Sequence, residues 1–236
     1  MAARISYLVV LALWIAALWF GLDYAAKPKQ PPAAVPTVQL DWVTFFTAHI
    51  LPSLPLADEF DTPLQPPDGA GVVVSLPFLA SGHLGEDWTT GAGNATLGAP
   101  VYSVADGWVS VAQNFESAWG NVVFVCYRLP EGRWPPFVEV MYAQLQTMDV
   151  TPGMFVRRGQ RLGTVGNVNG MYKAHLQWEL RQTVGLGIGP GFDSMNRDGW
   201  LEPSAFLAAH RGDRSKLPLQ MKVLGKDQID NWGTDY

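Results

Sequence analysis

The stretch GAPVYSVADGWVSVAQN, Gly98–Asn114, sets the fold class, because it places two short apolar runs on either side of a turn. Valine and aromatic residues in the runs are typical of strands, and the Ala-Asp-Gly segment between them is typical of a turn. No long 3.6-residue period appears from Phe60 to Arg211. We therefore predict a mostly antiparallel β domain. Four more stretches have the same character: GNVVFVCYRL (120–129), FVEVMYAQL (137–145), GMFVRRGQRLGTVGN (153–167) and KAHLQWELR (173–181).

One helix and two flanking segments complete the predicted organisation. The stretch GWLEPSAFLAAHR predicts a short C-terminal helix that begins near Pro203 or Ser204. The polar tail 212–236 has no clear period and is either disordered or an arm that orders on a partner. The folded domain is thus predicted to span 60–211.

The N-terminus carries the clearest compositional signal. The run ISYLVVLALWIAALWFGL, Ile5–Leu22, has 18 residues without charge, which is at the lower limit for spanning a bilayer. A cleaved signal peptide is the alternative. The length of the run, and the lack of a small-x-small cleavage site in the following GLDYAAKPK, favour a single transmembrane anchor over 1–26.

Residues 27–59 are predicted to link the anchor to the domain. KPKQPPAAVPT, Lys27–Thr37, is a Pro-rich and extended linker. DWVTFFTAHILP, Asp41–Pro52, is predicted to form a short helix with an aromatic face. Two interpretations of that face are open: it contacts the bilayer or a partner, or it packs on the flank of the domain itself.

Composition narrows the function classes. Hydrophobic residues make up 48% and charged residues 16%, and the net charge is −5. Without a basic block, nucleic acid is not an expected partner. The single cysteine, Cys126, lies in an apolar run, so it predicts a buried structural thiol and excludes an intramolecular disulfide.

Candidate chemistry lies in three short stretches. GHLGEDW holds His83 and Asp87, MYAQL holds Gln144, and AHLQWEL holds His175 and Gln177. A histidine and a carboxylate four residues apart can both reach one metal ion. Strand alternation places His175 and Gln177 on one face. Spacing alone makes this a weak signal.

The surrounding blocks make the pattern specific. The region 60–211 resembles the lysostaphin/LytM-type zinc metalloendopeptidases, metallopeptidase family twenty-three, which cut peptidoglycan cross-links. The resemblance implies a β-sandwich-like LytM domain. It is carried by H-x-x-x-D at His83 and Asp87, and by the blocks GAPVYSVADGWV, GNVVFV, GMFVRRGQRLG and LEPSAFL.

Two positions depart from the family pattern. The resemblance implies zinc ligands at His83, Asp87 and position 177, and catalytic groups at position 144 and His175. Glutamine replaces histidine at Gln177 and at Gln144. Catalytic zinc takes three protein ligands and water, and an amide oxygen suits calcium better than zinc. Gln144 keeps a hydrogen-bond donor for an oxyanion, but it carries no proton or charge. The chain is predicted to be a degenerate member, with no cofactor unless the altered site still holds zinc.

Three functional hypotheses follow. The first is a single-pass, membrane-anchored and catalytically inactive domain on the periplasmic (extracytoplasmic) side, acting as a scaffold, regulator or accessory subunit with protein partners in an envelope or membrane complex. The alternative is an active zinc-dependent peptidoglycan endopeptidase with an altered metal shell, based on the retained histidines and Asp87. The third is a carbohydrate- or peptide-binding module that still binds peptidoglycan. Exposed aromatic side chains could stack on sugars, although core or loop packing is the ordinary role of each: Trp88, Trp119 and Trp134.

Overall fold

The structure is a computed structural model, and it describes residues 42–213, 218–225 and 228. The predicted anchor, the Pro-rich linker and most of the predicted tail lie outside the described residues. Within the described part of the chain, no helix is long and apolar enough to cross a membrane.

Strands dominate the described residues, which confirms the mostly β prediction. Helix α1 (Trp42–Phe45) continues as a π turn (Phe46–Ile50) and a 3-10 turn (Leu51–Ser53). A further 3-10 turn covers Ala80–Gly82, and helix α2 covers Pro203–Ala209, beginning where the sequence predicts. The strands are β1 (Val73–Leu76), β2 (Glu86–Thr89), β3 (Pro100–Tyr102), β4 (Gly107–Asn114), β5 (Asn121–Arg128), β6 (Phe137–Met148), β7 (Phe155–Val156), β8 (Arg161–Val165), β9 (Leu176–Arg181), β10 (Trp200–Leu201) and β11 (Lys222–Val223).

Strand pairing links these strands into one sheet. Its main path runs β11-β1-β2-β9-β6-β5-β4-β7, with β10 on β9 and with β8 joining β3 to β6. All pairs are antiparallel except β1 with β11. Strands β2, β9 and β6 are adjacent, so the segments that hold the candidate residues meet at the centre of the sheet.

The central strands are buried on both faces. In β9, Leu176, Trp178 and Leu180 enter the main hydrophobic core, and the alternate polar residues of the same strand are buried as well. A polar face of a strand normally contacts water. Here the loop 182–199 covers it, so the polar side chains are enclosed and need partners inside the protein.

The aromatic N-terminal segment packs on the flank of its own domain. Phe46 is fully buried, with its ring centroid 5.1 Å from that of Phe137 and 6.3 Å from that of Trp108. Leu51 and Leu54 extend the same cluster. This supports the flank interpretation for Phe46, while Val43 in the same helix stays exposed.

Replacing Phe46 with alanine should destabilise the domain. Truncating a buried phenylalanine typically costs about 3–5 kcal/mol, because it removes apolar contact and leaves a cavity. The loss in the free energy of unfolding is measured by urea denaturation of the full chain. Val43→Ala is the matched control and should stay within about 0.5 kcal/mol of the wild type. Equal midpoints for both variants would show that the segment is not docked.

The described piece of the tail belongs to the sheet. Lys222 and Val223 form the edge strand β11 beside β1, and Leu224 is buried. From the sequence, the tail 212–236 is expected to be disordered or to order on a partner. For 218–225 this expectation is wrong, because β11 pairs with β1 of the same domain and needs no partner protein. Two residues of strand are too short to give a sequence signal.

The remaining single-residue predictions have different outcomes. Cys126 is buried, as predicted. Trp88 is fully buried, with its ring centroid 5.3 Å from that of Trp178, so the suggestion that it stacks on sugars is corrected: it is a core residue. Trp134 is exposed and Trp119 is half-buried.

Candidate functional site

His83 and Asp87 lie together at the start of β2. Nε2 of His83 is 3.6 Å from Oδ1 of Asp87, and both side chains are fully buried. Within the described residues, neither ring nitrogen of His83 and neither carboxylate oxygen of Asp87 has a partner in hydrogen-bond geometry. A buried polar group without a partner typically costs about 1–3 kcal/mol. Unsatisfied buried polar groups of this kind are typical of functional sites, such as catalytic or ion-binding sites.

Strand register brings the AHLQWEL segment onto this pair. Gln177 lies directly opposite Asp87 in the β2–β9 pairing. Nε2 of His175 is 3.5 Å from Oδ2 of Asp87. Nδ1 of His175 is 2.7 Å from the carbonyl oxygen of Lys173, which fixes the ring and directs Nε2 toward the carboxylate.

A backbone irregularity in β6 brings Gln144 to the same place. Gln144 has a φ of 61°, and the pairing of β6 shifts register around it. A β-bulge of this kind re-aims a side chain. The Nε2 group donates to the Ala118 carbonyl at 3.4 Å, and Oε1 is buried without a hydrogen-bond partner among the described residues. One of the two Nε2 hydrogens is therefore engaged by Ala118, which lines the same cleft.

All five predicted positions thus come together: His83, Asp87, Gln144, His175 and Gln177, hereafter the candidate centre. Burial raises the pKa of Asp87 to about 7, against the opposing effect of His83. Burial lowers the pKa of His83 and brings that of His175 to about 4. The enclosed groups favour their neutral forms because little water reaches them.

The candidate centre does not supply the donor set of a catalytic zinc site. Such sites use three protein ligands and an open position. His83 and Asp87 are suitable donors, but the third position offers the amide of Gln177. No group of three histidine, cysteine, aspartate or glutamate side chains placed to hold a metal occurs in the ranges that the structure describes.

Beyond Gln177, a buried polar chain continues along β9. Nε2 of Gln177 donates to Oε1 of Glu179 at 3.3 Å, and Nη2 of Arg181 donates to Oε2 of Glu179 at 2.7 Å. Arg181 also donates to the carbonyls of Gly187 and Ile188, which belong to the covering loop. Arg181 was not among the residues predicted from the sequence. Continuing the alternation of 175, 177 and 179 by one step would have found it.

The covering loop forms a roof over the candidate centre. The ring of Phe192 stacks on that of His83, with centroids 4.7 Å apart. Gly191 lies against the Trp119 ring so closely that an added Cβ would be 2.9 Å from it. The cleft that remains has a volume of about 130 Å³, and both Gln144 and Gln177 line it. This is below the 300–1,000 Å³ typical of ligand sites.

Glu139 gives this polar face a testable pH dependence. It lies opposite Arg181 in the β6–β9 pairing and accepts from the Ser110 hydroxyl at 3.2 Å. Burial raises the pKa of Glu139, and Arg181 offsets only part of that shift. The folded state therefore keeps a proton that the unfolded chain loses near its ordinary pKa of 4.5. Stability should fall as pH rises from 4.5 through the folded pKa.

Glu139→Gln should remove that loss. We expect its stability relative to the wild type to increase steadily as pH rises above 4.5, since the amide does not ionise and its oxygen still accepts from Ser110. Thermal unfolding of both proteins across pH 4.5–8 measures the difference. Glu131→Gln, at an exposed loop position, is the matched control. A constant difference across that range would contradict the assignment.

Comparison with known proteins finds a family whose sequence pattern the region around this site matches. Residues 81–188 match the family model described as Peptidase family M23, and that range holds the whole candidate centre. The cell division protein DipM of Caulobacter vibrioides is 36% identical over 87 residues, which is 37% of this chain and 13% of DipM. Residues 81–188 thus match a peptidase family M23 domain.

Two solved structures show the same likeness. A putative peptidase M23 from Pseudomonas aeruginosa is 25% identical, with a TM-score of 0.44 over 66% of this chain and 53% of that chain. The solution structure of lysostaphin is 20% identical, with a TM-score of 0.38 over 54% of this chain and 44% of that chain. At these TM-scores the two structures are reported as similar, and no argument about function rests on them. The matched regions cover only part of each relative, so the activity of a whole relative does not transfer with the domain.

Proposed function

We propose that this chain is a non-catalytic M23 domain that works by binding, as a scaffold, regulator or accessory subunit of an envelope or membrane complex. The observation that carries the proposal is Gln177. It occupies the third ligand position, directly opposite Asp87, and its amide is held by Glu179. An M23 hydrolase needs a metal-bound water, and this centre offers two good ligands in place of three.

The expected loss of metal affinity is large. Changing a group behind a metal ligand typically costs about 10–100-fold in affinity or activity. Replacing a ligand itself should cost more, because imidazole nitrogen is a far better zinc donor than an amide oxygen.

The second substitution acts on the reaction itself. Removing one group that stabilises an oxyanion typically costs about 10²–10³ in rate. At position 144 the amide donates to the Ala118 carbonyl and, unlike a protonated imidazole, carries no positive charge to stabilise an oxyanion. The roof formed by Phe192 and Trp119 adds a steric obstacle to an extended substrate.

The proposed location rests on the sequence. The uncharged run Ile5–Leu22 would form a single membrane anchor, with the domain on the periplasmic or extracytoplasmic side. A tethered domain close to a bilayer suits a subunit of a membrane complex. The name of DipM, a cell division protein, is compatible with a partner in the envelope machinery.

Two measurements test this proposal. Purified full-length protein should release no soluble fragments from cross-linked peptidoglycan sacculi, and it should co-purify with membrane proteins from its native host after mild crosslinking. A variant lacking residues 2–41 should lose that co-purification. The deletion stops at 41 because Phe46 and Leu51 belong to the packed domain. Fragment release by the full chain, or co-purification unchanged by the deletion, would contradict the corresponding part of the proposal.

One observation favours the alternative, an active zinc-dependent peptidoglycan endopeptidase with an altered shell. His83 and Asp87 are fully buried, and Nε2 of His83 is 3.6 Å from Oδ1 of Asp87, so two potential metal ligands already face each other. In that case His175 would act beside the bound water. The alternative predicts one zinc per chain and cleavage of sacculi, both lost in His83→Ala.

A further inference from the structure

A cavity lies outside the candidate centre. It has a volume of about 400 Å³ and is formed by the turn between β4 and β5, one end of β6 and the loop after β8. Its size is within the range of ligand sites. Five of its eleven lining residues are carboxamides: Asn114, Asn121, Gln146, Asn167 and Asn169.

Two of these carboxamides are fixed in place before any ligand arrives. Nδ2 of Asn114 donates to Oδ1 of Asn121 at 2.8 Å, and Nδ2 of Asn121 donates to the carbonyl oxygen of Gln146 at 3.1 Å. Oδ1 of Asn114 accepts from the backbone N–H of Glu116 at 2.6 Å. Fixed side chains lower the entropy cost of binding.

The backbone of the cavity wall is strained at several non-glycine residues. Glu116, Ser117, Val168 and Asn169 all have φ between 48° and 56°. This left-handed region is unfavourable for most residues and especially for a β-branched residue such as Val168. Strain of this kind concentrates at ligand sites, where the surrounding structure holds it.

The charge of the cavity selects the ligand class. Glu116 is the acidic residue in the lining, and none of the described residues that line the cavity is basic. Anionic ligands are therefore disfavoured. Each carboxamide both donates and accepts hydrogen bonds, which matches the hydroxyl groups of a sugar. The partly exposed Val168 adds an apolar contact for a sugar ring.

An extended peptide fits this cavity less well. Peptides commonly bind by adding a strand to an open sheet edge. Here Asn121 pairs with Leu145, and Leu145 pairs with Val165, so the strands that border the cavity are already paired. Recognition would depend on side chains, and a free peptide carboxylate would meet Glu116. We propose that this cavity binds a neutral saccharide.

This inference stands apart from the proposed function. Gln144 and Gln177 line the other cleft, and none of the five residues of the candidate centre lines this cavity. Saccharide binding here does not depend on whether the candidate centre holds zinc or cleaves peptidoglycan.

Titration calorimetry on the full chain in detergent, with the N-acetylglucosamine tetramer chitotetraose as probe, tests the proposal. Gln146→Ala removes an exposed carboxamide at the cavity. Asn169→Gly removes another while keeping a left-handed backbone that glycine adopts freely. We expect saturable binding, weakened by about 2- to 10-fold in each variant, as for the loss of one hydrogen bond. Gln182→Ala, at an exposed position outside the cavity, should leave affinity unchanged.

Three results would overturn the proposal: no saturable heat with chitotetraose, equal affinity of Gln146→Ala and Asn169→Gly to the wild type, or tetra-alanine binding that the same variants weaken while the sugar does not bind. Thermal unfolding of each variant shows that it is folded before the titration.

Discussion

Replacing Gln177 with histidine is expected to produce a chain that binds zinc at one ion per molecule. The change supplies the third nitrogen or oxygen ligand beside His83 and Asp87. It also places the new ring where Gln177 now donates to Glu179 at 3.3 Å. A zinc-bound histidine almost always donates its other N–H to a carboxylate or a carbonyl. The partner that a third histidine would need is therefore already present.

The measurement is metal content after dialysis against buffered zinc, together with the shift in thermal unfolding that zinc causes. Zinc at about 100 times its dissociation constant should stabilise Gln177→His by about 2.7 kcal/mol. Affinity should exceed that of the wild type by more than about 100-fold.

Two controls make the result specific. Gln182→His adds a histidine at an exposed position just beyond β9 and should gain no stoichiometric zinc. Gln177→His combined with His83→Ala should lose the gain. If Gln177→His and Gln182→His bind zinc equally, then position 177 is not the missing ligand and the candidate centre is wrongly assigned.

Arg181→Leu is expected to destabilise the domain strongly. Removing one partner of a buried ion pair typically costs about 3–5 kcal/mol, because the other charge stays buried and unpaired. Here Glu179 would lose the guanidinium at 2.7 Å, and the carbonyls of Gly187 and Ile188 would lose their donors. The guanidinium also lies 5.0 Å from the ring centroid of Phe124. The roof over the candidate centre should loosen with the same change.

Urea unfolding of the full chain measures this loss. Arg157→Leu, at an exposed position, should stay within about 0.5 kcal/mol of the wild type. Glu179→Gln combined with Arg181→Leu should cost less than the sum of the two single changes, since the double variant leaves no unpaired charge. Additive losses would show that the pair does not act as a unit.

Much of the fold and the site was predictable from local patterns. The valine-rich runs and their turns give the strands, because their period of two and their residue types suit a pleated sheet. The alternation in AHLQWELR places His175 and Gln177 on one face, and the register with β2 agrees. The ordered family blocks single out Gln144 and Gln177, and the structure brings both residues to one cleft.

The enclosure of the site was not predictable. A polar face on a strand predicts that the face is exposed to solvent. Here the loop 182–199 covers that face. That loop is glycine-rich and has no period, so its path depends on tertiary contacts such as those of Phe192 with His83. The left-handed backbone at Gln144 was not predictable from the sequence either, because glutamine has no preference for that conformation.

The zinc content of the unmodified full chain, purified without chelators and dialysed against zinc buffer, tests the non-catalytic proposal most directly. We predict well below one ion per chain, unchanged by His83→Ala, and no cleavage of sacculi by the same preparation. One zinc per chain that is lost in His83→Ala, together with cleavage of sacculi, would contradict the account and establish the altered-shell endopeptidase.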